Sequence, residues 1–346
     1  MQHGETLVHA PRPLPLFLEL IRRASGHDPE LARDALAGLR AYAAAERRAR
    51  PKPKAEVARV GVVRGAALRD HGGAGPPAVL IPSLINPPRI LDLDEDVSLA
   101  GAMTQMGRRA LLLDWGAADD RKDLSVAAHV EDLLVPLLRS IGEPAALIGY
   151  CLGGTMAIAA ANLVDVERIA TLAAPWTFAR YPDGSREALL DMWRHSEPAA
   201  KALGALPMEV LQAAFWSLDP ERTVTKFAEF GRLDPATPDA RRFVELEDWA
   251  NEGDPLPYPA ARELIEDLFG RDVPGVGDWR VGGRAVSDHL TVPVLHLTAD
   301  HDRIAPAATV ARGARIGIPS GHVGMIVGSA RARLHGELGE FLGESR

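Results

Sequence analysis

The feature that most restricts this chain is a single turn. Leu147-Ile148-Gly149-Tyr150-Cys151-Leu152-Gly153-Gly154-Thr155 joins a short apolar run to an alanine-rich helical stretch. A nucleophile between two glycines, set where a strand passes into a helix, is the context of the G-x-S-x-G elbow. The glycines are required because the strained backbone at the centre leaves no room for side chains beside it. Here the central position holds Cys151 in place of serine. The thiolate is the reactive form of cysteine, and a helix N-terminus or a neighbouring imidazolium favours it. The N–H of Leu152 is the expected oxyanion donor. A lone cysteine is ordinarily a small inert hydrophobe; the glycines around this one are what set it apart.

An elbow needs a base and a group to orient the base, and in this type of fold the order along the chain is nucleophile, acid, histidine. Downstream, Val292 to Leu297 reads as a late strand that ends in Thr298-Ala299-Asp300-His301-Asp302-Arg303-Ile304-Ala305-Pro306. In the D-x-x-x-P arrangement after such a strand the acid stands four residues before the proline, which selects Asp302 over Asp300. For Asp300 a solvated or turn-capping carboxylate is the expected role. The base is expected at His322, in Pro319-Ser320-Gly321-His322-Val323-Gly324, on a glycine-flanked loop after the final strand. The chain has 11 histidines, so most are bystanders. His296 within the strand, His301 beside the acid and His289 before the strand fit core or surface roles.

Around this turn the pattern is that of an α/β protein. Ala78 to Ile81, Ala110 to Leu113, Ala145 to Gly149, Ile169 to Ala173, Val292 to Leu297 and Ala314 to Ile318 are short apolar runs. Helical stretches separate them, among them Leu124 to Ile141, where Pro136 predicts a kink, and Thr155 to Leu163. Such alternation predicts a mostly parallel sheet with helices on both faces, that is, an α/β-hydrolase fold. It stops near Pro175. Residues 176–287 hold helical patches and no clear strand, and they read as an inserted, mostly helical cap over the nucleophile. Trp176, Trp193, Trp216 and Trp249 fall in it, too many apolar aromatics for a solvated linker. Residues 1–56 read as a helical preface and linker: Leu31, Ala35, Leu36 and Leu39 recur at helical spacing behind an Asp28-Pro29 start, and Pro51 and Pro53 break the helix. A basic run, Arg47 to Lys54, is expected to be a solvated helix end. The catalytic domain is then 57–346, with the cap at about 176–287.

Composition closes off other classes. Of 346 residues 47% are hydrophobic and 25% charged, which suits a globular core that needs no disulfide or structural metal. The net charge of −8 gives no electrostatic footprint for nucleic acid. The single cysteine permits no intramolecular disulfide and no multi-cysteine metal site, which favours a cytoplasmic setting. The apolar patch Leu14 to Ile21 is too short and too poorly flanked for a signal peptide, and no stretch has the length of a membrane span.

The box Gly149-Tyr150-Cys151-Leu152-Gly153-Gly154 resembles the cysteine box of the polyhydroxyalkanoate synthases. Other blocks are similar too: Leu80-Ile81-Pro82-Ser83-Leu84-Ile85-Asn86 with Ile90 to Leu93, Leu113-Asp114-Trp115-Gly116, Phe243 to Trp249, Gly282-Gly283-Arg284, and the loops of Asp302 and His322. The resemblance runs from about residue 60 to the C-terminus. It implies an acyltransferase that polymerises 3-hydroxyacyl-CoA into poly-3-hydroxybutyrate or a related polyester and releases coenzyme A. Cys151 would carry the acyl group as a thioester, His322 would act as base on the thiol, the substrate hydroxyl or both, and Asp302 would orient His322. Coenzyme A is then part of the substrate, and no separate cofactor or metal is expected. The short preface and the ending Phe341 to Arg346 resemble members that work with a second, non-catalytic subunit. The growing polyester or its granule surface, and further copies of the chain, are the other expected partners. A thioesterase or polyester hydrolase with the same residues is the alternative; a non-catalytic granule-associated subunit is a third reading.

Overall fold

The computed structural model describes residues 9–45 and 58–343. The basic run 47–54 and the Pro51/Pro53 linker lie outside the described residues. Contacts divide the chain into two compact units, Met1–Ala55 with Met208–Gly253, and Glu56–Pro207 with Asp254–Arg346. The stretch expected as a cap is therefore shared between them: its middle clusters with the N-terminal helices, and its two ends cluster with the sheet.

The larger unit is built on one sheet of eight strands. These are β1 Arg59–Val63, β2 Ala66–Asp70, β3 Pro77–Ile81, β4 Arg109–Asp114, β5 Ala146–Tyr150, β6 Arg168–Leu172, β7 Val294–Ala299 and β8 Ala314–Ile318. Their order across the sheet is β1-β2-β4-β3-β5-β6-β7-β8. All neighbours from β4 to β8 pair in parallel, whereas β1 with β2 and β2 with β4 are antiparallel. This is the α/β-hydrolase arrangement. Strands β3 and β5 are buried at every residue, which is why they read as unbroken apolar runs rather than alternating ones. The hairpin of β1 and β2 was not expected from the sequence: exposed Arg59 and Val62 and two glycines give it no clear apolar run.

The helix expected over Leu124 to Ile141 is interrupted. It begins at Val126–Ala128, widens into a π-helical stretch at His129–Leu134 and resumes at Val135–Ser140 with Pro136 in its first turn. A proline has no N–H to donate, and the wider turn before it accommodates the missing bond. The insertion's outer ends belong to this unit and do contain strands, though only of two residues: Ala205–Leu206 pairs with Leu256–Pro257, and Arg280–Val281 with Arg284–Ala285. Trp176 and Trp193 are buried here. Trp193 donates to Glu266, and Trp279, packed against Trp176, donates to Glu263. Among the described residues no helix is long and apolar enough to cross a membrane.

The smaller unit is helical: Leu14–Ser25, Pro29–Ala44, Met208–Leu218, Pro220–Phe230 and Pro238–Asn251. Asp28 caps the second helix through Leu31 N–H at 2.9 Å, with Pro29 in the first turn, as the sequence predicts. Its buried face is Ala32, Ala35, Gly38 and Tyr42, with Leu31 and Leu39 packed at its edge; of the expected stripe only Leu36, 38% exposed, points away. Gly38 lies so close to the helix Pro220–Phe230 that an added Cβ would stand 1.8 Å from the Phe227 carbonyl oxygen. Phe17, Tyr42, Trp216, Phe227 and Phe230 complete this core.

Candidate active site

The site grows from the end of β5. The Cys151 N–H donates to Leu172 O of β6 at 2.9 Å, so the sheet ladder continues to the residue where the chain turns. There Cys151 takes φ 55° and ψ −131°, a left-handed backbone for a residue with a side chain. Such strain persists only where its surroundings over-determine it. They do so here by close approach: a Cβ on Gly153 would lie 2.2 Å from Ile81 O, and one on Gly149 would lie 2.4 Å from the Gly154 Cα. The helix Leu152–Ala161 follows at once and is buried through Ala160. As its first residue, Leu152 has no acceptor within the helix for its N–H. Cys151 itself is half-buried.

The acid and the base come from the turns after β7 and β8. Asp302 accepts two backbone N–H bonds at Oδ1, from Ile304 at 2.8 Å and Ala305 at 2.9 Å. Its Oδ2 faces His322 Nδ1 at 2.7 Å. Both side chains are almost fully buried. Burial works against the charged imidazole, yet the Asp302 charge and that of Cys151 outweigh it and push the His322 pKa up to about 10. The His322 side chain also reaches Cys151. The Tyr150 ring lies against the imidazole with centroids 5.0 Å apart. The structure thus brings Cys151, His322 and Asp302 to one place, with Leu152 at the head of the adjoining helix.

The competing residues lie elsewhere. Asp300 is exposed, its Oδ1 resting over Gly317 of β8. His301 and His289 are exposed. His296 is buried in the sheet between Thr171 Oγ1 at 2.7 Å and Arg312 O at 3.1 Å, and burial lowers its pKa. Two of the blocks behind the resemblance meet where Trp115 Nε1–H donates to Pro82 O at 3.2 Å. The Gly282-Gly283 pair forms the tight link between the two short strands at 280–285. The block Phe243 to Trp249 lies in the helical unit. Among the described residues no group of three His, Cys, Asp or Glu is placed to hold a metal ion.

No protein-family model matches the chain. It is 26% identical over 294 residues to the poly(3-hydroxyalkanoate) polymerase subunit PhaC of Haloferax mediterranei, covering 76% of this chain and 56% of that protein. Against the PhaC of Haloarcula marismortui it is again 26% identical, over 81% of this chain and 63% of the other. With Allochromatium vinosum PhaC the identity is 26%, over 78% of this chain and 81% of that one. This chain is similar in sequence to poly(3-hydroxyalkanoate) polymerase subunits named PhaC. It thus spans under two thirds of the length of the Haloferax and Haloarcula proteins and most of the Allochromatium one. Among solved structures, BpoC of Mycobacterium tuberculosis H37Rv superimposes with a TM-score of 0.50 at 15% identity, over 82% of this chain and 98% of that one. That likeness shows the fold alone.

Two residues of this site carry no functional signal in the sequence, Tyr150 and Tyr181. Both phenols are buried close enough to Cys151 and Asp302 that burial, with those two charges, pushes their pKa values well up. Nothing in the local sequence marks Tyr181, because its partner Ile304 is 123 residues away.

Proposed function

We propose that this chain is the catalytic subunit of a polyhydroxyalkanoate synthase, an acyltransferase that moves 3-hydroxyacyl groups from coenzyme A to a growing polyester. The observation that carries the reading is a strained cysteine joined to a buried His–Asp pair, in a chain whose sequence relatives are PhaC polymerase subunits.

With the His322 pKa near 10, the resting site holds imidazolium beside the Cys151 sulfur. The thiolate attacks the thioester carbonyl, and the oxyanion that develops meets the Leu152 N–H. The intermediate collapses by breaking the bond to the coenzyme A sulfur, which leaves with the proton from His322. The acyl group is then a thioester on Cys151, and His322 is neutral. Neutral His322 takes the proton of an incoming hydroxyl, whose oxygen attacks the acyl-enzyme. The ester bond forms, and Cys151 leaves again as thiolate beside imidazolium. Exchange of one thioester for another keeps the acyl group reactive toward an alcohol. Asp302 holds His322 in the tautomer and orientation that both proton transfers need. Coenzyme A enters as part of the substrate, and the scheme requires no other cofactor. A second subunit, further copies of this chain and the polyester granule surface are the partners this reading implies.

The test is to incubate pure protein with 3-hydroxybutyryl-CoA, with and without a non-catalytic synthase subunit, and to measure free thiol and polymer together. Thiol release matched by polymer supports the synthase. Thiol release with free 3-hydroxybutyrate and no polymer in either condition makes it a thioesterase, and no release in either makes it a non-catalytic subunit.

A further inference from the structure

We infer that Tyr181 is a positioning residue for the acid–base pair, acting through the peptide that fixes Asp302. The Ile304 carbonyl and the Ala305 N–H belong to one planar peptide unit, so they point in opposite directions. On one side the carbonyl accepts the Tyr181 hydroxyl at 2.8 Å. On the other the N–H donates to Asp302 Oδ1 at 2.9 Å. Rotation of this plane would break both bonds together. With the Ile304 N–H also on Oδ1 at 2.8 Å, that oxygen is occupied, and Oδ2 is left to His322 Nδ1 at 2.7 Å. A hydrogen-bond chain of this kind polarises its members in one direction. The phenol therefore fixes the peptide, the peptide N–H fixes the carboxylate, and the carboxylate is held facing the imidazole.

Tyr181 is itself firmly placed. It is 7% exposed, with its ring centroid 4.8 Å from that of Phe269 and 6.0 Å from that of Phe178. The Phe178 N–H donates to the buried Asp272 at 2.6 Å, and the Trp176 and Thr177 N–H groups both donate to Thr309 O. Because burial holds the phenol pKa well up, the hydroxyl stays a donor over the working pH range. Tyr181 stands just before the helix Asp183–Leu203, so the segment that leaves the sheet after β6 is tied to the acid of the site. Tyr150 contrasts with it: its hydroxyl is 3.3 Å from His322 O, and its contribution is the ring against the imidazole. The titratable groups facing His322 are Asp302, Cys151 and Tyr150, with Tyr181 beside the first two.

This inference rests on Cys151, His322 and Asp302 working as one unit. The measurement is an NMR titration of the full chain with 13C-labelled histidine, the His322 signal being assigned by its loss in His322→Asn. The parent is expected to titrate near pH 10. Tyr181→Phe keeps the ring and removes only the donor; its midpoint should fall by about one pH unit, since a less well-held carboxylate favours imidazolium less. Coenzyme A release should then show kcat lowered about tenfold with KM held, the pattern of a lost transition-state contribution. Tyr150→Phe should leave the midpoint in place. A Tyr181→Phe midpoint equal to the parent's overturns the inference and leaves the triad standing. Loss of coenzyme A release in neither Cys151→Ala nor His322→Asn sinks the triad and the inference with it. Should Tyr181→Phe be recovered unfolded, 3-fluorotyrosine at position 181, a stronger donor of nearly the same shape, should shift the midpoint, since it draws more charge off Asp302 through the Ile304–Ala305 peptide; an unchanged midpoint overturns the inference equally.

Discussion

The two units of this chain hold themselves together by opposite means. The helical unit relies on fit. Its second helix packs Ala35 and Gly38 against the helix Pro220–Phe230, and the aromatic rings of Phe17, Phe227, Phe230 and Phe243 fill the space around the contact. The sheet unit has an equally dry core in β3 and β5, but at the end of β5 it carries a left-handed cysteine and a buried ionic pair. Strain and buried charge each cost stability unless the surroundings fix them. Cores selected for stability alone tend to omit both. The helical unit adds to its packing a partly buried Lys226–Glu247 pair and a Tyr42–Asp248 hydrogen bond, whereas the elbow sets backbone strain beside an almost fully buried His–Asp pair.

If that contrast is sound, the largest effect on activity and the smallest on stability should come from the same residue. Cys151→Ala should reduce coenzyme A release more than about a hundredfold, because covalent catalysis is lost with the sulfur. Thermal unfolding should stay close to the parent's, since only one small half-buried group is removed. Retention of more than about a hundredth of the activity would remove Cys151 from the mechanism.

The next effect separates two carboxylates only two residues apart. Asp302→Asn should lower the rate by roughly two to four orders of magnitude, through loss of the charge that orients His322. Asp300→Asn, on an exposed side chain, should change it by less than about twofold. The reverse ranking would place the acid on the wrong residue and undo the contrast within the site.

Gly38→Ala probes the helical unit by the same logic. A Cβ 1.8 Å from a backbone oxygen forces the two helices apart, and a loss of about 2–4 kcal/mol in chemical unfolding is expected. A variant as stable as the parent would show that this contact is looser than its geometry implies. The smallest effect sharpens the other side. Cys151→Gly should raise stability by about 1 kcal/mol by accepting the φ of 55° without a side chain, while activity is lost. A Gly variant less stable than the Ala variant would mean that the strain at the elbow is not stored in the backbone.

Sequence alone determined whatever is encoded over short distances. The elbow was legible because a strand, two glycines, a nucleophile and a helix must be consecutive for the geometry to exist. The buried strands β3 to β7 were legible because burial on both faces writes itself as an apolar run, and Asp28-Pro29 announced its helix because caps act within one turn. Asp302 and His322 could be picked out by their order and their turns. Only the tertiary structure decided the remainder. It set the edge hairpin of β1 and β2, of which half-exposed β1 alternates too weakly to read and β2 has only three apolar residues in a row, and it divided the stretch 176–287 between two units. It also placed Tyr181 behind the peptide that holds Asp302. Each of these depends on partners more than a hundred residues apart, or on a face that becomes apolar only once its neighbour is present, and no local pattern of residues records such a partner.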